Sequence, residues 1–102
     1  RTMPMTLSAR QTRHLRGLGH HLKPVVRVGQ HGLSNAVLTE IDVALDAHEL
    51  IKVKIAAERD ERARLAAEIC NHTGARLIHS IGQMIVLFRR NTKNPKVALP
   101  SD

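Results

Sequence analysis

Leu7, Gln11, Leu15, Leu18 and Leu22 recur at the i, i+4, i+8, i+11, i+15 spacing that lines up one face of a helix. Ser8 stands where a cap would accept from first-turn amides, so a helix is predicted from Ser8 to about His20. Lys23-Pro24 stops it, because a residue before proline is pushed out of the helical region. The period then changes. Val25-Val26-Arg27-Val28 reads as a short β-branched strand, and Ser34 caps a second helix with Val37, Ile41, Ala44 and Leu45 on one face. Leu50 to Ala56 alternates strictly, with Ile51, Val53 and Ile55 on one side and Lys52 and Lys54 on the other. A third helix starts near Asp60, turns Leu65, Ala66 and Ile69 inward, and ends at Gly74. Leu77 to Ile81 and Met84 to Arg90 are two strands about Gly82-Gln83, a two-residue loop with Gly first, as type II′ turns prefer.

The predicted order is α-β-α-β-α-β-β, an α/β domain in which helix-linked strands run parallel and the last two form an antiparallel hairpin. One four-stranded mixed sheet is expected in a two-layer sandwich, with helices on the Ile51/Val53/Ile55 face. The Lys52/Lys54 face is then partly solvated or meets a ligand. Strand order is not encoded in this pattern. Residues 1–6 read as a flexible remnant ahead of the native start, 7–90 as the domain, and 91–102, with Pro95 and Pro100, as a basic tail.

At 102 residues and 42% hydrophobic content the chain builds one core of modest size. Phe88 is the only aromatic residue of the Phe/Trp/Tyr class, which counts against an RNA-recognition sheet that stacks bases on rings. The single Cys70 excludes an internal disulfide and a cysteine-rich zinc site, and a reducing, cytoplasmic setting is expected. No apolar run approaches the roughly 20 residues of a membrane span, so no membrane partner is expected.

Charge changes the picture most. Sixteen Lys and Arg stand against nine Asp and Glu, a net charge of +7. Residues 1–35 hold six basic residues and no acid, while the acids concentrate in residues 36–75. Basic ends around an acidic middle suit a polyanion, because clustered cations release counterions from phosphates. Arg10, Arg13 and Arg16, three apart on the first helix, are expected to form one stripe. A plain solvated helix face is the alternative.

Gly29-Gln30-His31-Gly32 follows the first strand directly and precedes a capped helix start. Two glycines let a backbone approach a phosphate closely, and the helix start offers free amides and a positive dipole end. Such a GxxG loop can grip a nucleic-acid backbone without reading bases. An ordinary tight turn uses the same glycines. The loop lacks the spacing and lysine of a Walker motif and is not GxGxxG, so nucleotide hydrolysis is not expected. The seven histidines show no metal-ligand spacing, and Asp60-Glu61 and Glu40-Asp42 read as helix-start and surface charges. No metal, cofactor or enzyme activity is expected.

Leu22 to Val26, Val28 to Ser34 and His48 to Lys54 resemble the signature blocks of the CRM domain, named for chloroplast RNA splicing and ribosome maturation. Thr73-Gly74-Ala75, Ile81-Gly82-Gln83 and Val97 to Pro100 resemble it too, so the likeness covers about residues 7 to 100. A chain of this size is similar to the stand-alone bacterial YhbY type. The resemblance implies an α/β sandwich related to the C-terminal domain of translation initiation factor three. It also implies RNA binding through the GxxG loop and nearby basic surface, and association with large-subunit ribosomal precursors. Many members carry a lysine inside the loop, where this chain has Gln30-His31. The expected RNA-binding residues are Gly29, Gln30, His31, Gly32, Arg27, Lys23, Arg10, Arg13, Arg16, Lys52 and Lys54, in a protein expected to be monomeric. The competing expectation is an interaction module that docks a basic ribosomal or assembly protein through Glu40, Asp42, Asp46 and Glu49. A DNA-binding domain, the third reading, lacks an evident recognition helix.

Overall fold

Ser8 opens the first helix as its position predicts: its hydroxyl accepts from the Gln11 amide at 3.1 Å while the Gln11 side chain accepts from the Ser8 amide at 3.1 Å. This reciprocal box satisfies two of the amides a helix start leaves unpaired. The structure, a computed structural model, describes residues 6–29 and 32–101. Its elements are α1 (Ala9–Gly19), β1 (Pro24–Val28), α2 (Asn35–His48), β2 (Leu50–Ile55), α3 (Arg59–Thr73), β3 (Arg76–Ile81) and β4 (Met84–Phe88), the order the sequence predicts. Gly74 ends α3 with φ +76°, and its amide donates to Cys70 O at 2.8 Å. Gly82, at φ +57°, opens the β3–β4 turn with a left-handed residue, and Gln83 has no positive φ, which fits the expected II′ pattern.

The sheet order is β1-β2-β4-β3. β1 runs parallel to β2, and β4 is antiparallel to both β2 and β3. The last strand in the chain thus lies inside the sheet, and β1 and β3 form its edges. β2 and β3, linked by α3, point the same way as expected, with β4 inserted between them.

Alternation along the strands divides the core in two. Ile51, Val53, Ile55, Ile85 and Leu87 pack beneath Ile41 and Leu45 of α2 and Leu65 and Ile69 of α3. Leu50, Val86 and Phe88 point the other way and meet Leu7 and Leu15 at α1, joined by Leu22, Val97 and Leu99. The Lys52/Lys54 face is therefore not bare: α1 forms a further layer over the Leu50/Phe88 part of it, and only the part near Lys52 and Lys54 stays half-open. Gly19 makes this approach possible, since a Cβ there would stand 3.0 Å from both methyl carbons of Val86.

Residues 91–101 form no helix or strand but run back along α1. The Gln11 side-chain amide donates to Pro100 O at 3.0 Å, and the His14 ring lies 3.1 Å from Ala98 O. Their anchor is Glu49, fully buried at the end of α2. Its carboxylate accepts from the amides of Asn91 (2.5 Å), Lys96 (2.7 Å) and Val97 (2.8 Å) and from the Arg90 guanidinium (3.0 Å).

Candidate nucleic-acid interface

β1 delivers the chain to Gly29, and the Gly32 amide donates back to Gly29 O at 3.0 Å, closing a four-residue turn. Gly32 has φ +72°, a conformation a side chain would strain. Gln30 and His31, expected at the tip, lie outside the described residues. Ser34 then caps α2, its hydroxyl accepting from the Val37 amide at 3.2 Å. The first turn of α2 holds no acid, so the positive end of its dipole beside the turn is uncompensated.

The parallel register sets Arg27 beside Lys54, both on the sheet face opposite α2. The Ile55 amide donates to Gln83 O at 2.8 Å, which brings the Gly82-Gln83 turn to the same end of the sheet as Gly29. Further along β2, Lys52 shares this face with His79 of β3, through the pairing of Lys52 and of His79 with Val86. The His79 ring meets that of His20 edge-on, with centroids 5.9 Å apart. Partial burial, then the charges of Arg16, His20 and Lys52, hold the His79 pKa below the usual histidine value. Arg27, Lys54, Lys52 and Arg16 thus make a cationic band from the glycine turn to the C-terminal half of α1.

The other predicted cations lie elsewhere. Arg10 and Arg13 are exposed on the N-terminal half of α1, whose neighbour is the returning tail. Steps of three turn a helix by about 60° each, so the three exposed arginines fan over about 120° of α1. Lys23 stands before β1, about 16 Å of strand away from the turn.

Part of the acidic middle is engaged within the fold. Arg89 donates to Asp42 at 2.6 Å and to Asp46 at 2.8 Å, and Glu49 is buried. Of the four carboxylates expected to dock a basic protein, Glu49 is buried, Asp42 and Asp46 pair with Arg89 while their side chains stay 42% and 74% exposed, and Glu40 is exposed. These pairings lower the negative charge that the surface offers to a basic protein. By the same contacts Arg89 and Arg90, counted in the basic C-terminal end, are neutralised inside the fold. Burial pushes the Cys70 thiol up despite the charge of Arg76, which leaves it a poor nucleophile. Among the described residues no three His, Cys, Asp or Glu side chains converge to hold a metal ion, and no helix is long and apolar enough to cross a membrane.

Sequence reasoning missed the His20–His79 contact, since only the packing of α1 over β3 joins positions so far apart. It also missed the Glu49 anchor; a glutamate between α2 and an alternating strand gives no sign of burial.

Fold and site together define a small α/β domain with a glycine turn at a helix start and a cationic strand face beside it. The chain belongs to the CRS1/YhbY (CRM) domain family, whose model matches residues 7–89. It is 46% identical over 93 residues to a protein of Pseudomonas aeruginosa named "Probable RNA-binding protein", covering 90% of this chain and 89% of that one. An RNA-binding protein of Haemophilus influenzae is 45% identical over 96 residues, covering 93% and 96%. The solution structure of a Staphylococcus aureus protein matches with a TM-score of 0.81 at 33% identity, over 93% of this chain and all of that one.

Proposed function

We propose that this chain is a non-enzymatic RNA-binding protein of the bacterial cytoplasm. It grips structured RNA, with the large-subunit ribosomal RNA or its precursor particle as the target, and serves in assembly of that subunit. The observation that carries this reading is the alignment of the Gly29–Gly32 turn, the uncompensated start of α2 and the Arg27/Lys54 pair at one end of the sheet. Amides and cations arranged this way suit a phosphodiester backbone, which they position without reading sequence. The names of the relatives and the family's RNA-linked role support the same reading.

The test is binding to large-subunit ribosomal RNA across a salt series, with small-subunit RNA and duplex DNA as competitors, beside a variant with Gln30→Asp and His31→Asp. Selective, salt-sensitive binding that the folded variant loses is the expected result. Equal binding by both proteins would reduce the glycine loop to a turn.

A further inference from the structure

A groove of about 650 Å³ opens between the C-terminal end of α1, the start of β1 and the returning tail. Its apolar wall includes Leu18, Leu22 and Val25, and two of these are among the few large hydrophobic side chains left exposed, Leu18 at 38% and Val25 at 47%. Lys23, Lys52 and Lys96 line it as well, and no described carboxylate does. Neither the glycine turn nor Arg27 belongs to it.

We propose that this groove receives an unstacked base of a single-stranded RNA segment, with the flanking phosphates on the three lysines. The proposal rests on the RNA-binding reading and adds a second, base-contacting site to it. The volume lies within the range of pockets that enclose small organic ligands. The pairing of aliphatic wall with cationic rim matches a nucleotide, whose base is flat and weakly polar and whose phosphate is anionic. Aliphatic side chains replace the aromatic platforms this chain lacks. β1 is an edge strand of the sheet, and its Val25 stands on the groove wall. Lys52 belongs both to the groove and to the cationic band. A strand whose backbone leaves the turn and follows Arg27, Lys54 and Lys52 reaches the groove within a few nucleotides. That continuity favours RNA over an acidic peptide. It also gives Lys23, remote from the turn, a phosphate of its own.

The experiment compares hexauridylate and hexaadenylate with a blunt RNA duplex, by anisotropy titration and by amide shifts of the ¹⁵N-labelled full chain. The single strands are expected to shift the amides of Leu18, Leu22 and Val25, and the duplex to shift only those around Gly29, Gly32 and Lys54. Val25→Glu, at an exposed position, is expected to weaken the single strands at least about tenfold by setting a carboxylate against the incoming phosphate, with duplex affinity within about twofold of the original. The double change Lys23→Ala with Lys96→Ala is expected to reproduce the loss without touching the apolar wall. Single-strand binding unchanged in both folded variants overturns the proposal while leaving the RNA-binding reading intact. So does a response of the groove to an acidic amphipathic peptide and not to single strands. Failure of every RNA to bind overturns both.

Discussion

Glu49 holds two unfavourable states at once, a buried carboxylate and a backbone φ of +64°. Left-handed backbone costs a residue with a Cβ about 1 kcal/mol or more, and a lone buried charge costs far more. Burial alone would raise its pKa; the amides of Asn91, Val97 and Lys96 and the Arg90 guanidinium outweigh burial and hold it below the ordinary carboxylate range. The folded state therefore binds this proton less readily than the unfolded chain. Stability from Glu49 is full above the unfolded carboxylate value, about 4.3, and is lost as pH falls from there through the lower folded value. Urea unfolding should show Glu49→Gln destabilised by about 3 kcal/mol at neutral pH, with a shallower acid loss than the parent. Glu49→Gly should do about 1 kcal/mol less harm than Glu49→Ala, because glycine relieves the backbone. His79 offers a second check. Its proton NMR titration should have a midpoint below about 6.5, and Arg16→Ala should raise it. Neither residue's state is legible in the sequence. Burial of Glu49 depends on partners more than forty positions away, and a reading by neighbours alone places it in an acidic surface patch.

Elements were far more legible, because periodicity is local. Ser8, Ser34 and Gly74 mark helix ends as predicted, and the alternation of Leu50–Ile55 divides the two core clusters. The face of α1 was legible only in part. Leu15 is fully buried, yet Leu18, on the same predicted stripe, stands exposed, and Gln11 turns to the tail. The helix meets the sheet most closely at Gly19, which lies against Val86, a contact that the spacing of leucines does not reveal. Gly19→Ala should destabilise by about 1–3 kcal/mol despite better helix propensity, since a Cβ there would stand 3.0 Å from both Val86 methyls. Adding Val86→Ala to that variant should recover part of the loss relative to the sum of the single changes, measured as a double-mutant cycle.

For the molecule as a whole the question is where the surplus charge acts. The sequence located the glycine turn and Arg27 correctly as neighbours, because both lie within a few residues of β1. It could not tell that Lys54 joins them while Lys23, Arg10 and Arg13 sit apart, since that depends on register and on the placement of α1. In the RNA-binding reading, replacing Arg27 and Lys54 by Ala should lower the salt slope of RNA affinity by about one unit per lost phosphate contact, and replacing Arg10 and Arg13 should lower it less. Parallel titrations at several salt concentrations decide between the two pairs.

The position of β4 bears on how the chain reaches its fold during synthesis. Emerging from the ribosome, β1, β2 and β3 appear in turn, yet neither the parallel pair nor β3 can complete the sheet until Met84–Phe88 enters between β2 and β3. Nearly all of the chain must be made before its centre closes, and loop-closure entropy opposes those distant pairings until then. Nascent chains arrested before Met84 should therefore be digested by protease as fast as an unfolded chain, and resistance should arise in a single step once β4 and the Glu49 partners that follow it, through Val97, have left the tunnel.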